Sequence, residues 1–406
     1  MSNISSRNHS EKRFQFYGKV AVTLAISFLV ILLYNIFSTG ISAFQQTYVA
    51  VKLDIPASVD KKSINPRSYL NKSFLEMFPP EVKSRNEKKA VLSLLSKGAK
   101  YEFQELLEDN ESSSLQGYFW FLASADLDMY IKGTVNRQGD TAGRLDEVQM
   151  QYVDILESKN LVELQSNKYL FSAADSREPE MAGIRGAIIG SLYAILIAFL
   201  VSFPIAVLSA VYLEKIASKN KFSDLIETNI NNLAAVPSIV FGLLGLAIFL
   251  NFFNLPRSAP LVGGLTLALM TLPTIVIASR AAIKSVPPSI EEAAIGLGAS
   301  KVQTIFGFTL PLAMPGILTG TIIGIAQAIG ETAPLLMIGM VAFVVDVPGG
   351  PMEPSTALPV QIFLWADSPE RAFTERTSAA IMVLLVFLVL LNLTAIYLRK
   401  KLEKKW

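Results

Sequence analysis

Apolar and polar positions divide this chain into long apolar runs and one long polar stretch. A helix needs about 20 predominantly apolar residues to cross the hydrocarbon core of a membrane. Six runs reach or approach that length, and they cover residues 20–38, 183–213, 229–252, 261–284, 313–345 and 377–398. The pattern therefore predicts an all-α polytopic membrane protein with six transmembrane helices, in which the longest runs include tilt or interfacial turns.

The first apolar run follows a basic tail, residues 1–19, and it therefore has two interpretations. A basic start followed by an apolar segment is typical of a signal peptide, which is removed from the mature protein. However, the run at 20–38 is long for a signal peptide, and the sequence FSTG at its end is a poor cleavage site. We therefore favour an uncleaved first transmembrane helix.

Residues 39–180 are polar and charged, and at about 140 residues they are long enough for a domain of their own. Alternating apolar positions over 47–55 predict a strand, and helical spacing over 87–109 and 144–158 predicts amphipathic helices. The stretch 161–172 predicts two short strands. The sequence therefore predicts a small α+β domain inserted after the first transmembrane helix.

The distribution of basic residues predicts how the chain is oriented in the membrane. Lysine and arginine are enriched on the cytoplasmic side of membrane proteins. The N-terminal tail, the loop after the second run and the C-terminal tail 401–406 are basic, whereas the loop between the fifth and sixth runs is mainly acidic. Both termini are therefore predicted to be cytoplasmic, and residues 39–180 to be extracytoplasmic.

Composition excludes several kinds of chemistry. With 51% hydrophobic and 17% charged residues, the chain is too apolar for an ordinary soluble protein. It has no cysteine, and its one histidine, His9, lies in the polar tail, so no disulfide framework and no histidine or cysteine metal site are predicted. The chain has no G-x-x-x-x-G-K-S/T run, so it is not predicted to hydrolyse ATP. We also predict no cofactor and no catalytic residue on this chain, so it is not expected to be an enzyme. No nucleic-acid partner is predicted.

A polar segment at 285–312 interrupts the apolar pattern between the fourth and fifth runs. From residue 291 it reads EEAAIGLGASKVQTIFGFTLP. Ser289 is a possible cap for a short helix, and Glu291 and Glu292 fall in the positive first turn of that helix. The segment is predicted to lie on the cytoplasmic side.

The rest of this segment predicts a compact, rigid protrusion. Ala293 and Ala294 give a small surface that another protein can approach. Gly298 permits a left-handed turn into a second short helix, and Pro311 closes the loop before the next span. A plain interfacial helix-turn-helix is the alternative.

The spacing resembles the EAA loop of bacterial ABC-importer permeases, which reads E-A-A, three residues, G, nine residues, I-x-L-P. Only the isoleucine position departs, because Phe308 stands there. The resemblance implies a type I permease core of five helices over 181–400. It also implies a coupling helix that docks into a separate ATPase, which would bind the ATP and Mg²⁺. The residues that would couple this chain to the ATPase are Glu291, Glu292, Ala293, Ala294, Gly298, Leu310 and Pro311.

Three further segments, AAVPSIVFGLLG, GETAPLL and LPVQIF, resemble the phosphate-importer permeases of the PstA family. The resemblance covers about residues 183–400, and the insert resembles the extra domain of a long-form branch. It implies a permease subunit of an ATP-driven phosphate importer in the bacterial inner membrane. The implied partners are a second, PstC-like permease subunit, two PstB-like ATPase subunits and an extracytoplasmic PstS-like phosphate-binding protein.

Glu331 is predicted near the middle of the fifth span, where a carboxylate is costly and is functional or paired by default. An ionised carboxylate accepts a hydrogen bond from the P–OH group of phosphate, which fully ionised sulfate lacks. Alternatively, Glu331 is paired with a basic residue that stabilises a gate. Thr332 adds a hydroxyl group beside it.

Two positions depart from the pattern of the PstA family. Many relatives have a basic residue four positions before the glutamate, where this chain has Gln327. Relatives often have an acidic residue where this chain has Arg280, in the fourth span. Arg280 is therefore a candidate partner for Glu331 or for phosphate, and the alternative is that it snorkels to the interface.

Three rival functions remain open from the residues. The first is an ABC importer for another oxyanion, such as molybdate or sulfate. The second is a membrane sensor that reads a ligand through the 39–180 insert. The third is an ion-driven secondary transporter, although no inverted repeat is evident.

Overall fold

The structure is a computed structural model that describes residues 2–78, 84–110, 113–134, 145–218, 220–341 and 343–402. Most of the basic tail predicted at 401–406 lies outside the described residues. The helices are α1 Ser2–Ser42, α2 Pro66–Glu76, α3 Arg85–Leu92, α4 Ala99–Asp109, α5 Ala125–Ile131, α6 Glu147–Ser158, α7 Tyr169–Ser172, α8 Arg185–Val211, α9 Lys221–Ala234, α10 Ser238–Gly245, α11 Pro260–Lys284, α12 Pro288–Gly296, α13 Lys301–Thr304, α14 Leu310–Gly330, α15 Ala333–Met337, α16 Leu358–Ala366 and α17 Phe373–Leu402. The strands are β1 Gln45–Ile55, β2 Leu115–Leu122 and β3 Val162–Ser166. Short 3₁₀ turns lie at Lys61–Ser63 and Pro179–Met181, and π-helical turns lie at Tyr212–Ile216, Leu246–Phe252 and Ile305–Thr309.

Five helical segments of the described chain are long and apolar enough to cross a membrane. They are Glu11–Ser42, Arg185–Ile216, Pro260–Lys284, Lys301–Gly330 and Phe373–Lys401. The all-α polytopic class predicted from the apolar runs is confirmed, with a small sheet in the N-terminal part.

The predicted span at 229–252 is not one continuous helix. The segments Lys221–Ala234 and Ser238–Phe252 meet at an angle of 104°. The break falls at Pro237, which has no amide hydrogen to donate and disfavours helical backbone in the residue before it. The predicted span at 229–252 is therefore bent, and the described chain has five apolar spans, or six if this bent pair counts as one.

The predicted span at 313–345 is also interrupted. α14 ends at Gly330, and Glu331 has extended backbone with ψ of 119°. Proline falls in the first turn of α15, where its missing donor costs nothing. Glu331 therefore lies at a helix end and not in the middle of a span. The apolar run is interrupted because α14 ends at Gly330 and a new helix starts with Pro334 in its first turn.

α14 packs closely on α11 through a ridge of glycines. A Cβ atom on Gly316 would lie 2.7 Å from the Cβ atom of Ala282, and one on Gly320 would collide with Ala278. Gly324 faces Ile275 one turn further along. Such a row of small residues lets two helices approach each other closely.

The insert contains one antiparallel sheet with the strand order β2-β1-β3. β1 matches the strand predicted at 47–55, and α6 matches the helix predicted at 144–158, whose first residues lie outside the described chain. The stretch 87–109 forms two helices, α3 and α4. Gly98, just before α4, packs so closely on Met181 that a Cβ atom there would collide with its side chain.

The two strands predicted over 161–172 are only half correct. β3 forms, but a short helix, α7, follows it. Asn167 causes this change, because its Oδ1 atom accepts hydrogen bonds from the amides of Tyr169 and Leu170 at 3.1 and 3.2 Å. Such a side-chain acceptor favours the start of a helix over an extended strand.

A buried ion cluster joins the insert to the last transmembrane helix. Lys132 Nζ lies 2.7 Å from Asp128 Oδ2 and 2.8 Å from Glu375 Oε1. The three side chains are only 5%, 4% and 9% exposed. Ser42 Oγ donates to Glu375 Oε2 at 2.7 Å, and the Thr47 amide donates to Asp128 at 2.8 Å. The cluster therefore holds the end of α1, β1, α5 and the start of α17 together.

The next residue of α17 extends this joint. Arg376 is 1% exposed, and its Nη2 atom donates to Gln46 Oε1 and, at 3.2 Å, to the carbonyl of Glu180. Trp365 of α16 is also buried, and its Nε1 atom donates to Asp175 Oδ1 at 2.9 Å. Side chains of α16 and α17 therefore fasten the connector between the insert and α8.

Burial of Glu180 predicts a pH-dependent stability. Burial raises the pKa of this carboxyl from 4.5 to about 7, although a hydrogen bond from Ser96 acts in the opposite direction. Between these two values the unfolded chain loses a proton that the folded chain retains, so the free energy of unfolding falls as pH rises. From well below pH 4.5 to well above pH 7, the ionisation of Glu180 lowers the free energy of unfolding by about 3 kcal/mol in total.

The Glu180→Gln variant should lack this contribution. We expect the wild-type chain in detergent to lose unfolding temperature between pH 5 and 7.5, and Glu180→Gln to lose clearly less. Glu178→Gln removes a half-buried carboxylate two residues away and should keep the wild-type trend. Parallel pH trends in all three proteins would contradict the assignment.

Candidate coupling loop and translocation face

α12 and α13 form a loop at the end of α8 and α11 that is remote from the insert. α8 contains 27 residues, which corresponds to about 40 Å between its ends. α12 begins at Pro288 after Pro287 and has no side-chain cap, so the predicted cap at Ser289 is wrong. Proline is preorganised for the first helical position and occupies it instead.

A left-handed glycine and a capping box shape the turn between the two short helices. Gly298 has a φ of +91°, as the predicted left-handed turn requires. Ser300 Oγ then accepts a hydrogen bond from the backbone amide of Gln303 at 3.3 Å. In return, Gln303 Oε1 accepts a hydrogen bond from the backbone amide of Ser300 at 2.9 Å. These reciprocal bonds start α13, the second short helix of the predicted protrusion.

Glu291 fastens the loop to both helices beside it. Its carboxylate forms an ion pair with Lys215, in the π-helical turn after α8. Oε1 of the same carboxylate accepts a hydrogen bond from Thr309 Oγ1 at 3.0 Å, at the start of α14. A displacement of the loop would therefore be passed to α8 and α14 together.

Three apolar side chains of the loop are exposed. Leu297 is 90% exposed, and Ile295 and Val302 are also exposed. We call these three residues the coupling face. Exposed apolar residues grouped on one surface are typical of a protein-binding site.

The other predicted coupling residues divide between exposed and packed positions. Glu292 and Ala293 are exposed, and Leu310 and Pro311 are half-buried. Ala294 is only 4% exposed, so the prediction that it offers a surface to a partner is wrong. In a short helix, one of two successive alanines turns towards the protein while the other faces outward.

Glu331, Thr332 and Gln327 lie at the interrupted end of α14. Gln327 is exposed, and Glu331 and Thr332 are half-buried. Within the described ranges, none of these three side chains has a hydrogen bond or an ion pair. These three polar side chains therefore lie near the break between α14 and α15 without a described partner.

Arg280 does not reach this group. Its Nε atom lies 2.5 Å from Glu214 Oε1, and its Nη2 atom lies 2.7 Å from Glu227 Oε2. Lys284 lies 3.5 Å from the same Glu214 oxygen. The cluster ties the end of α8 to α9 and α11.

The predicted pairing of Arg280 with Glu331 is therefore wrong. Arg280 lies level with the contact between Ala278 and Gly320, and Glu331 is roughly 20 Å further along α14. Two carboxylates already neutralise the guanidinium, which argues against a direct contact of Arg280 with substrate.

Sequence reasoning missed three residues of these sites. Glu214 and Glu227 are the partners of Arg280, and Leu297 is the most exposed member of the coupling face. An acidic residue that directly follows a long apolar run, as Glu214 does, is a signal that could have been used. Leu297 gave no such signal, because an isolated leucine is usually packed.

Comparisons with known proteins confirm the permease family that the loop sequence resembles. Residues 202–406 match the family model described as "Binding-protein-dependent transport system inner membrane component". Over 219 residues the chain is 32% identical to "Phosphate transport system permease protein PstA 1" of Mycobacterium tuberculosis (strain ATCC 25618 / H37Rv), covering 53% of this chain and 70% of the relative. The chain belongs to this permease family. The permease core is PstA-like, and the chain is a multi-pass inner-membrane protein.

Other relatives match the same part of this permease. It is 31% identical to "Phosphate transport system permease protein PstA" of Yersinia pestis, over 54% of this chain and 74% of the relative. It is 37% identical to "Probable ABC transporter permease protein YqgI" of Bacillus subtilis (strain 168), over 38% of this chain and 52% of the relative. Residues 1–141 match a separate model, a domain of unknown function named DUF3333.

Solved structures give weaker matches to the permease. A structure of the MetNI methionine ABC transporter in inward-facing conformations has a TM-score of 0.44 and 16% identity, covering 54% of this chain and 96% of that chain. A bacterial ABC transporter for the acidic polysaccharide alginate has a TM-score of 0.40 and 17% identity, covering 54% and 79%.

Proposed function

We propose that this chain is the transmembrane permease subunit of an ATP-driven inorganic phosphate importer. The observation that carries the proposal is the protruding α12–α13 loop, with its apolar coupling face and its ties to α8 and α14. PstA-like sequence in the permease core supports phosphate as the substrate.

The mechanism that fits this arrangement is alternating access. Two partner ATPase subunits bind ATP and Mg²⁺ and receive the coupling face in a groove. When they close, the loop moves, and Glu291 passes the movement to α8 through Lys215 and to α14 through Thr309. The chain itself is not an enzyme, since hydrolysis takes place on the partner.

Phosphate reaches the permease from outside in this proposal. An extracytoplasmic phosphate-binding protein delivers it to a path between this chain and a second, similar permease subunit. Both termini and the α12–α13 loop are cytoplasmic, and residues 39–180 are extracytoplasmic.

Glu331 is the candidate substrate-recognition group. It has no ion-pair partner in the described part of the chain, so its charge is available to a ligand or to the second permease subunit. An ionised carboxylate can accept a hydrogen bond from the P–OH group of hydrogen phosphate, whereas fully ionised sulfate has no such donor. Thr332 and Gln327 lie beside it and can donate to phosphate oxygens.

Replacing Glu331 by glutamine should lower phosphate uptake at least about tenfold, because a hydrogen bond to a charged group contributes roughly 1.5–3 kcal/mol. The measurement is ATP-dependent uptake of labelled phosphate by proteoliposomes that contain the partner subunits and saturating binding protein. Asp367→Asn, which removes an exposed charge after α16, should leave uptake unchanged.

Competition identifies the substrate in the same vesicles. Excess unlabelled phosphate should abolish uptake of the label, and sulfate or molybdate should have little effect. If sulfate or molybdate competes as well as phosphate, the chain serves another oxyanion and the phosphate assignment is wrong.

A further inference from the structure

A large open cleft lies outside the membrane-spanning helices, where the insert meets the permease part. Its volume is about 1040 Å³. One wall comes from α2 and α3, and the opposite side includes residues 178–180, just before α8, and 369–372, just before α17. A ligand in the cleft would therefore touch the insert and the residues that lead into two transmembrane helices.

The α2–α3 wall is strongly basic. It places Arg67, Arg85, Lys88 and Lys89 along the cleft, and no acidic residue of these two helices lines it. All four side chains are exposed, and none forms an ion pair with another described residue. Four cations with no ion-pair partner among the described residues produce a positive potential along this wall, and such a potential attracts anions.

The acidic residues of the cleft lie elsewhere, and two of them are largely neutralised. Glu178 pairs with Lys97 at 2.7 Å. Glu180 is buried, its Oε1 atom accepts a hydrogen bond from Ser96, and its Oε2 atom has no partner. Burial raises the pKa of Glu180 to about 7, which favours the neutral carboxyl that can donate a hydrogen bond. The remaining acidic residues of the lining are Asp126, Asp146 and Glu370.

We propose that this cleft binds an anion with more than one phosphate group through the basic α2–α3 wall. The cleft is at the upper end of the volumes that hold small-molecule ligands, which is far more than a single phosphate ion needs. A condensed phosphate in solution and the headgroup of an anionic phospholipid share the required chemistry. The site is separate from Glu331 and does not depend on which substrate the permease transports.

Binding to the full chain tests the proposal. The chain is reconstituted in nanodiscs of neutral phosphatidylcholine and titrated with sodium tripolyphosphate by calorimetry. In a second arm, cardiolipin is added to the nanodiscs, and the cardiolipin that remains bound after detergent extraction and washing is quantified. The Lys88→Gln/Lys89→Gln variant should bind at least about tenfold more weakly, because it removes two of the four cations of the wall.

A matched variant controls for net charge. Lys52→Gln/Lys72→Gln removes two exposed lysines of the same insert that do not line the cleft. This control should bind like the wild type, and both variants should unfold at the wild-type temperature. Tripolyphosphate binding in neutral nanodiscs identifies a soluble ligand, and selective retention of cardiolipin alone identifies a lipid ligand.

Three results would overturn the proposal. The first is equal weakening in both double variants, which would mean non-specific attraction. The second is inorganic phosphate binding as tightly as tripolyphosphate. The third is no binding of either probe, including the case in which the purified extracytoplasmic binding protein alone attaches through Lys88 and Lys89.

Discussion

Replacing Gly298 by valine should lower ATP-driven phosphate uptake by at least about tenfold. The backbone of Gly298 has a φ of +91°, which a β-branched residue adopts only at a high cost. Its Cβ position is open, so the cost arises from the backbone and not from a clash. The turn would change, and the coupling face would no longer have the shape that the proposed ATPase partner binds.

Gly296 provides a matched control for this substitution. It is the last residue of α12, it is exposed, and a Cβ atom there would also meet nothing within 4 Å. Gly296→Val should therefore keep most of the uptake, since it adds the same side chain without the left-handed backbone. The coupling assignment fails if Gly298→Val transports like the wild type, or if the two valine variants lose uptake equally.

Replacing Lys132 by methionine should reduce the free energy of unfolding by about 3–5 kcal/mol. Asp128 and Glu375 would lose the cation that lies between them, and both carboxylates are almost fully buried. Methionine retains much of the length of the lysine side chain, so the loss comes from uncompensated charge. Denaturant unfolding of the full chain can be followed by the fluorescence of Trp365, which is buried at this joint.

Lys97→Met is the control for the buried cluster. Lys97 also pairs with a carboxylate of the chain, but its side chain is 77% exposed. Water screens such a pair, and its loss should cost less than about 1 kcal/mol. Similar losses for the two methionine variants would show that the Lys132 cluster does not hold the insert in place.

Local patterns in the sequence predicted the loop well because its shape depends on short-range chemistry. Gly298 is needed for a left-handed turn, and Ser300 and Gln303 cap the helix that follows within four residues. The orientation of Ala294 was not predictable in this way. Its burial depends on the neighbouring helices that pack beneath the loop.

The partners of charged residues in the helices were harder to predict. Arg280 and Glu331 both lie in apolar runs, and the sequence alone does not give the distance in space between residues on two different helices. Their separation is seen only in the structure, where the contacts of the α14 glycines show which residues of α14 and α11 lie side by side. The break at Gly330 was also hidden, because the apolar composition continues on both sides of it.

The insert shows the same division between local and long-range information. Alternation over nine residues was enough to predict β1, and helical spacing was enough for α6. The remaining elements of the insert differ from the prediction for two local reasons. Asn167 caps α7 where a strand was predicted, and Gly98 allows the chain to pass Met181 between α3 and α4.

The buried Lys132 cluster has a mechanical consequence. It clamps the insert to the first turn of α17, and Arg376 adds a second clamp one residue later. A domain held so firmly at the base of a helix must follow that helix as a rigid lever. A tilt of a few degrees in α17 would swing the distal surface of the insert by several times the displacement at its base, so a fluorophore placed there would report such a tilt in the proposed transport cycle.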